Sequence, residues 1–322
     1  CRLFHSSCNK APTKLFRLPS RVIDVGGPRD HEQPFLYESR GDVGSYSALS
    51  HRWGGSNVLT TTLQSIEERK RQIPLCTLPK TMRDAIHVTR ALGIRYIWID
   101  SLCIVQDHLG DWALEAEKMG EIYKNATLTI ASVLATNAES GCFADYDGRK
   151  HRPCRLGITA KRTSQSSEDA GEEQVWKDRQ SYRPRGPLDT RGWVLQEEVL
   201  STRVLSFCDD GIYWECLEND ASEGDPGGHG KGDMLNQYPR SRFARVFKTS
   251  LISATSNSAD PWNISLKDAW RSVVKDYTAR KLTYNSDTLL AVQGLANYIQ
   301  QETGWQYRSG LWSHDFHEQL CW

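Results

Sequence analysis

Ile94-Arg95-Tyr96-Ile97-Trp98-Ile99-Asp100-Ser101-Leu102-Cys103-Ile104-Val105-Gln106 is the stretch on which the fold turns. An apolar, aromatic and β-branched run of this kind predicts a strand buried on both faces. The strand character stops abruptly at Asp100-Ser101, with Cys103 and Gln106 just beyond. In an open α/β sheet, ligands sit at the carboxyl ends of parallel strands. Asp100, Ser101 and Gln106 are therefore candidate binding residues on position alone.

On the N-terminal side, Leu78-Pro79-Lys80 opens a helix with Pro near its first turn. Met82, Ala85, Ile86, Thr89 and Leu92 form its expected inward stripe, and Gly93 stops it. Further upstream, Tyr46-Ser47-Ala48-Leu49-Ser50 reads as a short strand meeting a turn, His51-Arg52-Trp53-Gly54-Gly55. On the C-terminal side a second helix is predicted from about Asp111 to Lys124. Asp111 is its expected cap, with Leu114, Met119, Ile122 and Tyr123 on the buried face. Thr127 to Val133 is a further strand. Strand, helix, strand, helix, strand predicts a single α/β domain with a mainly parallel sheet in residues 40 to 140, flanked by helices.

Residues 1 to 40 read as an irregular lead with short strands, such as Arg21 to Val25 before Gly26-Gly27-Pro28. After Gly141 the pattern changes. Residues 164 to 174 are acidic and Ser-rich, a solvated loop within a core expected over 41 to 216. Arg203 to Phe207 and Gly211 to Cys216 flank Asp209-Asp210-Gly211, a strong hairpin signal. Asn219 to Asp233, rich in Gly and Asp, is expected to be mobile. Residues 217 to 322 form an extension in which helical periodicity returns from Asp268 to Gln300. Trp270, Val273, Val274 and Tyr277 mark it first, then Leu289, Val292, Leu295, Ala296 and Ile299. There is no internal repeat.

Lys plus Arg and Asp plus Glu are both 40 in 322 residues, so no net field draws the chain to nucleic acid or an anionic membrane. No apolar run approaches the length of a bilayer span. The first residues, Cys1 to His5, lack the apolar region of a signal peptide. Nine scattered cysteines with no CxxC pair argue for free thiols in a reducing compartment, and against a zinc ribbon. Asp84 and His87 have helical spacing but read as surface or packing residues, so no metal site is expected. Several of the eleven tryptophans lie beside Gly or charged residues, a pattern of pocket walls more than of an aliphatic core.

Three blocks of the chain resemble the fungal heterokaryon-incompatibility (HET) domain: Tyr46 to Gly54, the stretch through Gln106, and Arg191-Gly192-Trp193-Val194-Leu195-Gln196-Glu197. Between them, Asp111-Trp112, Glu115, Met119, Ile122-Tyr123 and Ala126 are similar to that family's pattern. The similarity continues through Leu200 to Leu205, Tyr213 to Cys216, Leu282-Thr283, Asp287 and Tyr307 to Trp312. His51 departs from it, since the family more often has Tyr there. The resemblance implies a cytoplasmic cell-death effector of fungal nonself recognition, a form of innate immunity. Through a more distant resemblance to TIR domains, some of which cleave NAD, it implies a TIR/flavodoxin-like core with NAD as substrate rather than cofactor. Self-association or an activating nonself-recognition protein would supply the partner. The alternative is a non-enzymatic module that signals death by oligomerising or through partners.

Cleavage of the nicotinamide–ribose bond releases a neutral pyridine and needs no general acid, unlike ordinary glycosides with two carboxylates. One carboxylate suffices to stabilise the ribosyl cation. Glu115 is the first candidate, three residues from Trp112 and so on one helix face with it. TIR-type hydrolases also place a Glu shortly after a Trp on a helix, at longer spacing. Glu115 could equally pair with Lys118 or Arg95. Glu197 is the second candidate, beside Gln196 and near Trp193, although a Gln-Glu pair could instead brace Arg191. Asp100 would bind ribose hydroxyls or cap the next turn. Around Ser50, Arg52 would meet a phosphate, Trp53 would stack or simply pack, and Gly54 would let the backbone approach closely. Cys103 with His51 would suggest a thiol hydrolase, but no oxyanion motif accompanies them and a buried Cys is usually inert.

Overall fold

A computed structural model describes residues 1, 5, 8, 16–27, 32–55, 59–143, 183–230, 247, 250, 265–313 and 316–319. The acidic loop expected at 164–174 lies outside them. Eleven strands are present among the described residues: β1 (Arg21–Asp24), β2 (Phe35–Glu38), β3 (Tyr46–Ser50), β4 (Tyr96–Trp98), β5 (Leu128–Ser132), β6 (Arg203–Cys208), β7 (Gly211–Cys216), β8 (Asn219–Ser222), β9 (Asp225–Gly230), β10 (Tyr307–Arg308) and β11 (Leu311–Trp312). The helices are α1 (Ile66–Arg71), α2 (Lys80–Ala91), α3 (Asp100–Cys103), α4 (Leu109–Asn125), α5 (Gly192–Leu200), α6 (Leu266–Thr278), α7 (Leu290–Thr303) and α8 (Phe316–Gln319).

Nine strands make one sheet in the order β2-β1-β4-β3-β5-β6-β7-β8-β9. The centre is parallel, β4 with β3, β3 with β5 and β5 with β6. The strands within residues 40 to 140 are thus parallel as expected, and antiparallel flanks on both sides make the whole nine-stranded sheet mixed. The lead contributes to it directly, because β1 pairs with β4. The hairpin at Asp209-Asp210-Gly211 forms as its turn residues predict. Asn219 to Gly230, expected to be mobile, instead adds two strands. Their register rests on backbone pairing, β8 with β7 and β9 with β8, which needs no apolar side chain.

Alternation along β3 sets the layers. Tyr46 points to α4, its hydroxyl donating to the Ile122 carbonyl at 2.6 Å. Ser47 points the other way, 2.7 Å from Thr89 of α2. Thus β3–α2–β4 crosses on one face and β4–α4–β5 on the other, and the connections diverge about β3. Val22, Ile23, Tyr46, Leu49, Met82, Ile86, Ile97, Trp98, Met119, Ile122, Tyr123 and Ile130 fill the main core.

The deciding stretch is shorter as a strand than its hydrophobicity suggests. Only Tyr96–Trp98 pair, and Asp100–Cys103 coil into one helical turn whose interior residues remain buried. Leu92 faces solvent because α2 ends at Ala91 and the chain turns at Gly93, where φ is +69°. The cap of α4 is His108, whose Nδ1 accepts from the Asp111 amide at 2.9 Å. Asp111 is occupied elsewhere, by Arg21 at 2.5 Å and the Val105 amide at 2.8 Å. Leu114 is exposed, and Glu115, Ala116, Met119, Ile122 and Tyr123 supply the buried face.

On the outer side of α5 a second core forms from Leu195, Val199, Trp270, Val273, Tyr277, Ala291, Leu295, Ile299 and Trp312. Leu289, placed on the inward stripe by its periodicity, lies exposed just before α7 begins. Here Trp270, Trp305, Tyr307 and Trp312 pack edge to face or tilted. These tryptophans serve in the core, where indoles supply the area that a small extension must bury, and Trp270, Trp305 and Trp312 also line a small cavity there. The seven described cysteines form no disulfide. No helix among the described residues is long and apolar enough to cross a membrane.

Candidate functional site

The polar groups at the carboxyl ends of β3 and β4 converge. Chain direction fixes this: parallel strands end on the same side, and Ser50-His51 leaves β3 beside Ile99-Asp100 leaving β4. Asp100 organises the cluster. Its Oδ2 accepts from the Trp53 indole N–H at 2.8 Å, and its Oδ1 from the Ser101 amide at 2.7 Å. His51 Nδ1 lies 3.9 Å from the same Oδ1. The Gln106 amide donates to the Asp100 and Ile104 carbonyls at 3.2 and 3.3 Å, closing the turn. Arg191, just before α5, donates to the His51 carbonyl. Asp100 thus organises the turn and stands at the centre of the cluster.

Gly54 completes the turn after β3 at φ +89°. A Cβ there would lie 2.5 Å from the Asn137 Cβ in the segment after β5, so no other residue fits without displacing that segment. Arg52 and Trp53 are half-buried beside it.

Glu197 enters from α5 and is only 3% exposed. It lies against Ser50, Tyr123, Arg191 and Asp100. Burial pushes its carboxyl up to about 7; Arg191 and Ser50 pull the other way, and Asp100 adds to the rise. Tyr123 donates to the Leu49 carbonyl at 3.0 Å, which fixes its phenol against the carboxyl. Burial also lowers the His51 imidazole, with Asp100 opposing and Arg191 assisting, so the ring is neutral at pH 7.

Several buried polar atoms here form no hydrogen bond among the described residues: the Ser50 and Ser101 hydroxyls and both ring nitrogens of His51. Ser50 lies near enough to Glu197 to favour its charge. Buried polar atoms are nearly always satisfied, so such a concentration makes these strand ends the candidate site.

The remaining candidates are placed differently. Glu115 is buried, but its Oε1 pairs with Lys118 at 3.2 Å, and Lys118 also holds Ser20 at 3.2 Å. Arg95, the other expected partner, is held by Asp24 at 2.9 Å. Tyr123, two turns further along α4, is the residue of that helix that reaches the strand ends. Trp112 is half-buried against the main core. Trp193 points outward, its indole donating to Asp287 at 3.1 Å. Gln196 faces α7, where a Cβ on Gly294 would lie 2.6 Å from its Oε1. Cys103 packs in the core; burial pushes its thiol up to about 12, so with a neutral His51 there is no thiolate–imidazolium pair. Asp84 accepts from the Cys142 amide at 2.9 Å, a packing role, and His87 is exposed.

Tyr123 and Arg191 were legible only as a buried helix position and a brace; their place in the cluster depends on how α4 and α5 cross the sheet. Indole, imidazole, carboxylates and guanidinium together suit an organic ligand carrying hydroxyls and phosphate.

Residues 46–197 match the family model described as heterokaryon incompatibility protein (HET). The match begins on the first residue of β3 and ends on Glu197, spanning the three resembling blocks. No curated protein and no solved structure matches the chain.

Proposed function

Residues 46–197 are a HET domain, and from that premise we propose that the chain is a cell-death effector of fungal nonself recognition that cleaves NAD at the nicotinamide–ribose bond. The observation that carries this reading is the buried carboxyl of Glu197 at the ends of the parallel strands, among unpartnered polar atoms. Loss of neutral nicotinamide leaves a ribosyl cation, and one carboxylate in a water-poor site can stabilise it. Glu197 takes that role, and a bound pyridinium would itself favour the ionised carboxylate. Asp100 would orient ribose hydroxyls, Trp53 would flank the ring, and Arg52 or Arg191 would meet the pyrophosphate. The reading prefers Glu197 to Glu115, whose charge is answered by Lys118. The divergence of connections about β3 supports comparison with doubly wound sheets, whose ligands bind at such a point.

The test is nicotinamide release from NAD by the purified chain, concentrated or fused to an oligomeriser. Turnover is expected, lost by at least ~100-fold in Glu197→Gln and retained in Glu115→Gln. Absence of turnover in every assembly state overturns the enzymatic reading. Turnover surviving in Glu197→Gln overturns the site while leaving the reaction.

A second reading, a module that signals death through self-association or partners, is favoured by Leu109 and Leu114. They are 87% and 58% exposed on the first turns of α4. Leu109→Asp with Leu114→Asp would then abolish killing in cells without altering NAD turnover.

A further inference from the structure

At the opposite end of the sheet from Glu197, Cys1, His5, Cys8 and Cys216 bring four ligand atoms within 4.8 Å of one another. His5 Nδ1 lies 3.3 Å from Cys216 Sγ and 4.0 Å from Cys8 Sγ. Zinc–sulfur bonds of about 2.3 Å and zinc–nitrogen bonds of about 2.0 Å require tetrahedral edges of roughly 3.5 to 3.8 Å. We infer that these residues form a structural zinc site with one imidazole and three thiolates. The expectation of no metal rested on reading Asp84 and His87 as surface or packing residues, and the missing CxxC pair argued against a zinc ribbon. The spacing Cys1-x3-His5-x2-Cys8 supplies only part of the set, and the last ligand is 211 residues from His5.

The surroundings fit a metal-bound thiolate cluster. The Asn219 amide points at Cys216 Sγ at 3.3 Å, and Arg203 Nε at Cys1 Sγ at 3.3 Å. Arg203 also donates to the Cys8 carbonyl at 2.9 Å. A zinc ion with three thiolates carries one net negative charge, which the Arg203 guanidinium offsets. Donors aimed at ligand sulfurs are the usual support of such sites. Four protein ligands leave no open position, so the role is structural rather than catalytic. Arg203 and Cys216 are cross-strand partners at the base of the β6–β7 hairpin. The ion would fasten Cys1, His5 and Cys8 to that hairpin.

The test uses the full chain produced in reducing, zinc-supplemented medium. Elemental analysis is expected to give about one zinc per chain. Replacement by cobalt is expected to give the intense visible bands of a tetrahedral site with thiolate-to-metal charge transfer. Alkylation followed by mass spectrometry should find Cys1, Cys8 and Cys216 protected in the loaded chain and modified after chelation, with exposed Cys76 modified in both. His5→Cys is expected to retain the metal and strengthen the charge-transfer band, since a fourth thiolate joins. The inference is overturned if the saturated chain binds no metal, if the three cysteines are alkylated equally with and without it, or if two of them form a disulfide in its place.

Discussion

At Glu197 one carboxyl group couples activity to stability with opposite signs. Its folded pKa is raised from 4.5 to about 7. Cleavage that depends on the ionised form should therefore rise as pH increases through about 7, measured as kcat/KM for nicotinamide release between pH 5.5 and 8.5. Stability runs the other way. For a group whose folded pKa lies above its unfolded value, the contribution is complete below about 4.5 and is lost as pH rises through about 7. The loss is on the order of 3 kcal/mol. Glu197→Gln keeps the shape and removes the ionisation. The variant should be more stable than the parent in urea at pH 8, with the gap closing toward pH 5; equal stability at both would mean the carboxyl is not desolvated. The same residue shows what sequence could disclose. Its type and its place at the end of a family block were visible, whereas the raised pKa comes from burial, with Asp100 adding to it against Arg191, Ser50 and Tyr123, and that environment is assembled across several elements.

Among the elements, the alternation of β3, α2, β4, α4 and β5 was legible because each has an apolar period of its own. Where that failed, the cause was geometric. Leu92 and Leu114 are apolar at positions the helix turns outward, and Asn219-Asp220-Ala221-Ser222 is a strand with no apolar pattern. Gln196 and Trp193 carry site-like chemistry but face α7 and Asp287, because a second helical layer covers α5. That layer depends on a crossing invisible to hydropathy. Gly120 of α4 and Gly294 of α7 meet backbone to backbone, and a Cβ on Gly120 would lie 2.7 Å from the Gly294 Cα. Gly120→Ala gains helix propensity, yet must push the two helices apart. A net loss of about 1 to 3 kcal/mol is expected by urea unfolding. Unchanged or increased stability would show that the helices have room to separate. Because Gln196 abuts the crossing, nicotinamide release should fall less than stability does, its cluster lying on the other side of α5.

Across the whole molecule, the extension is joined to the residues that match the HET model by charge as well as by its core. Arg183 holds Asp189 and Glu198, each at 2.9 Å; Glu198 also faces Arg280 at 3.5 Å, and Arg280 holds Asp276 at 2.6 Å. Asp276 in turn takes Arg185 at 2.5 Å. These groups come from the segment before α5, from α5 itself, and from α6 and the residues after it. Burial alone would raise Glu198, but Arg183 and Arg280 hold it below the usual carboxylate range. Backbone bonds from the Gly192 amide to the Lys281 carbonyl and from the Lys281 amide to the Thr190 carbonyl run alongside. Removing one member of such a network leaves its partners charged and poorly solvated, which costs far more than a surface pair is worth. Glu198→Ala leaves Arg183 with Asp189 and Arg280 with Asp276, so a loss near 3 kcal/mol is expected. Because α5 is shared by both cores, the loss should appear as one shifted urea transition, coincident by tryptophan fluorescence and far-ultraviolet circular dichroism. Two separated transitions would show instead that the extension unfolds apart from the domain. Raising the salt concentration should leave the midpoint difference nearly unchanged, since buried pairs are weakly screened. A difference that vanishes in salt would mean that water reaches the network and that the joint rests on the apolar contacts of α5 alone.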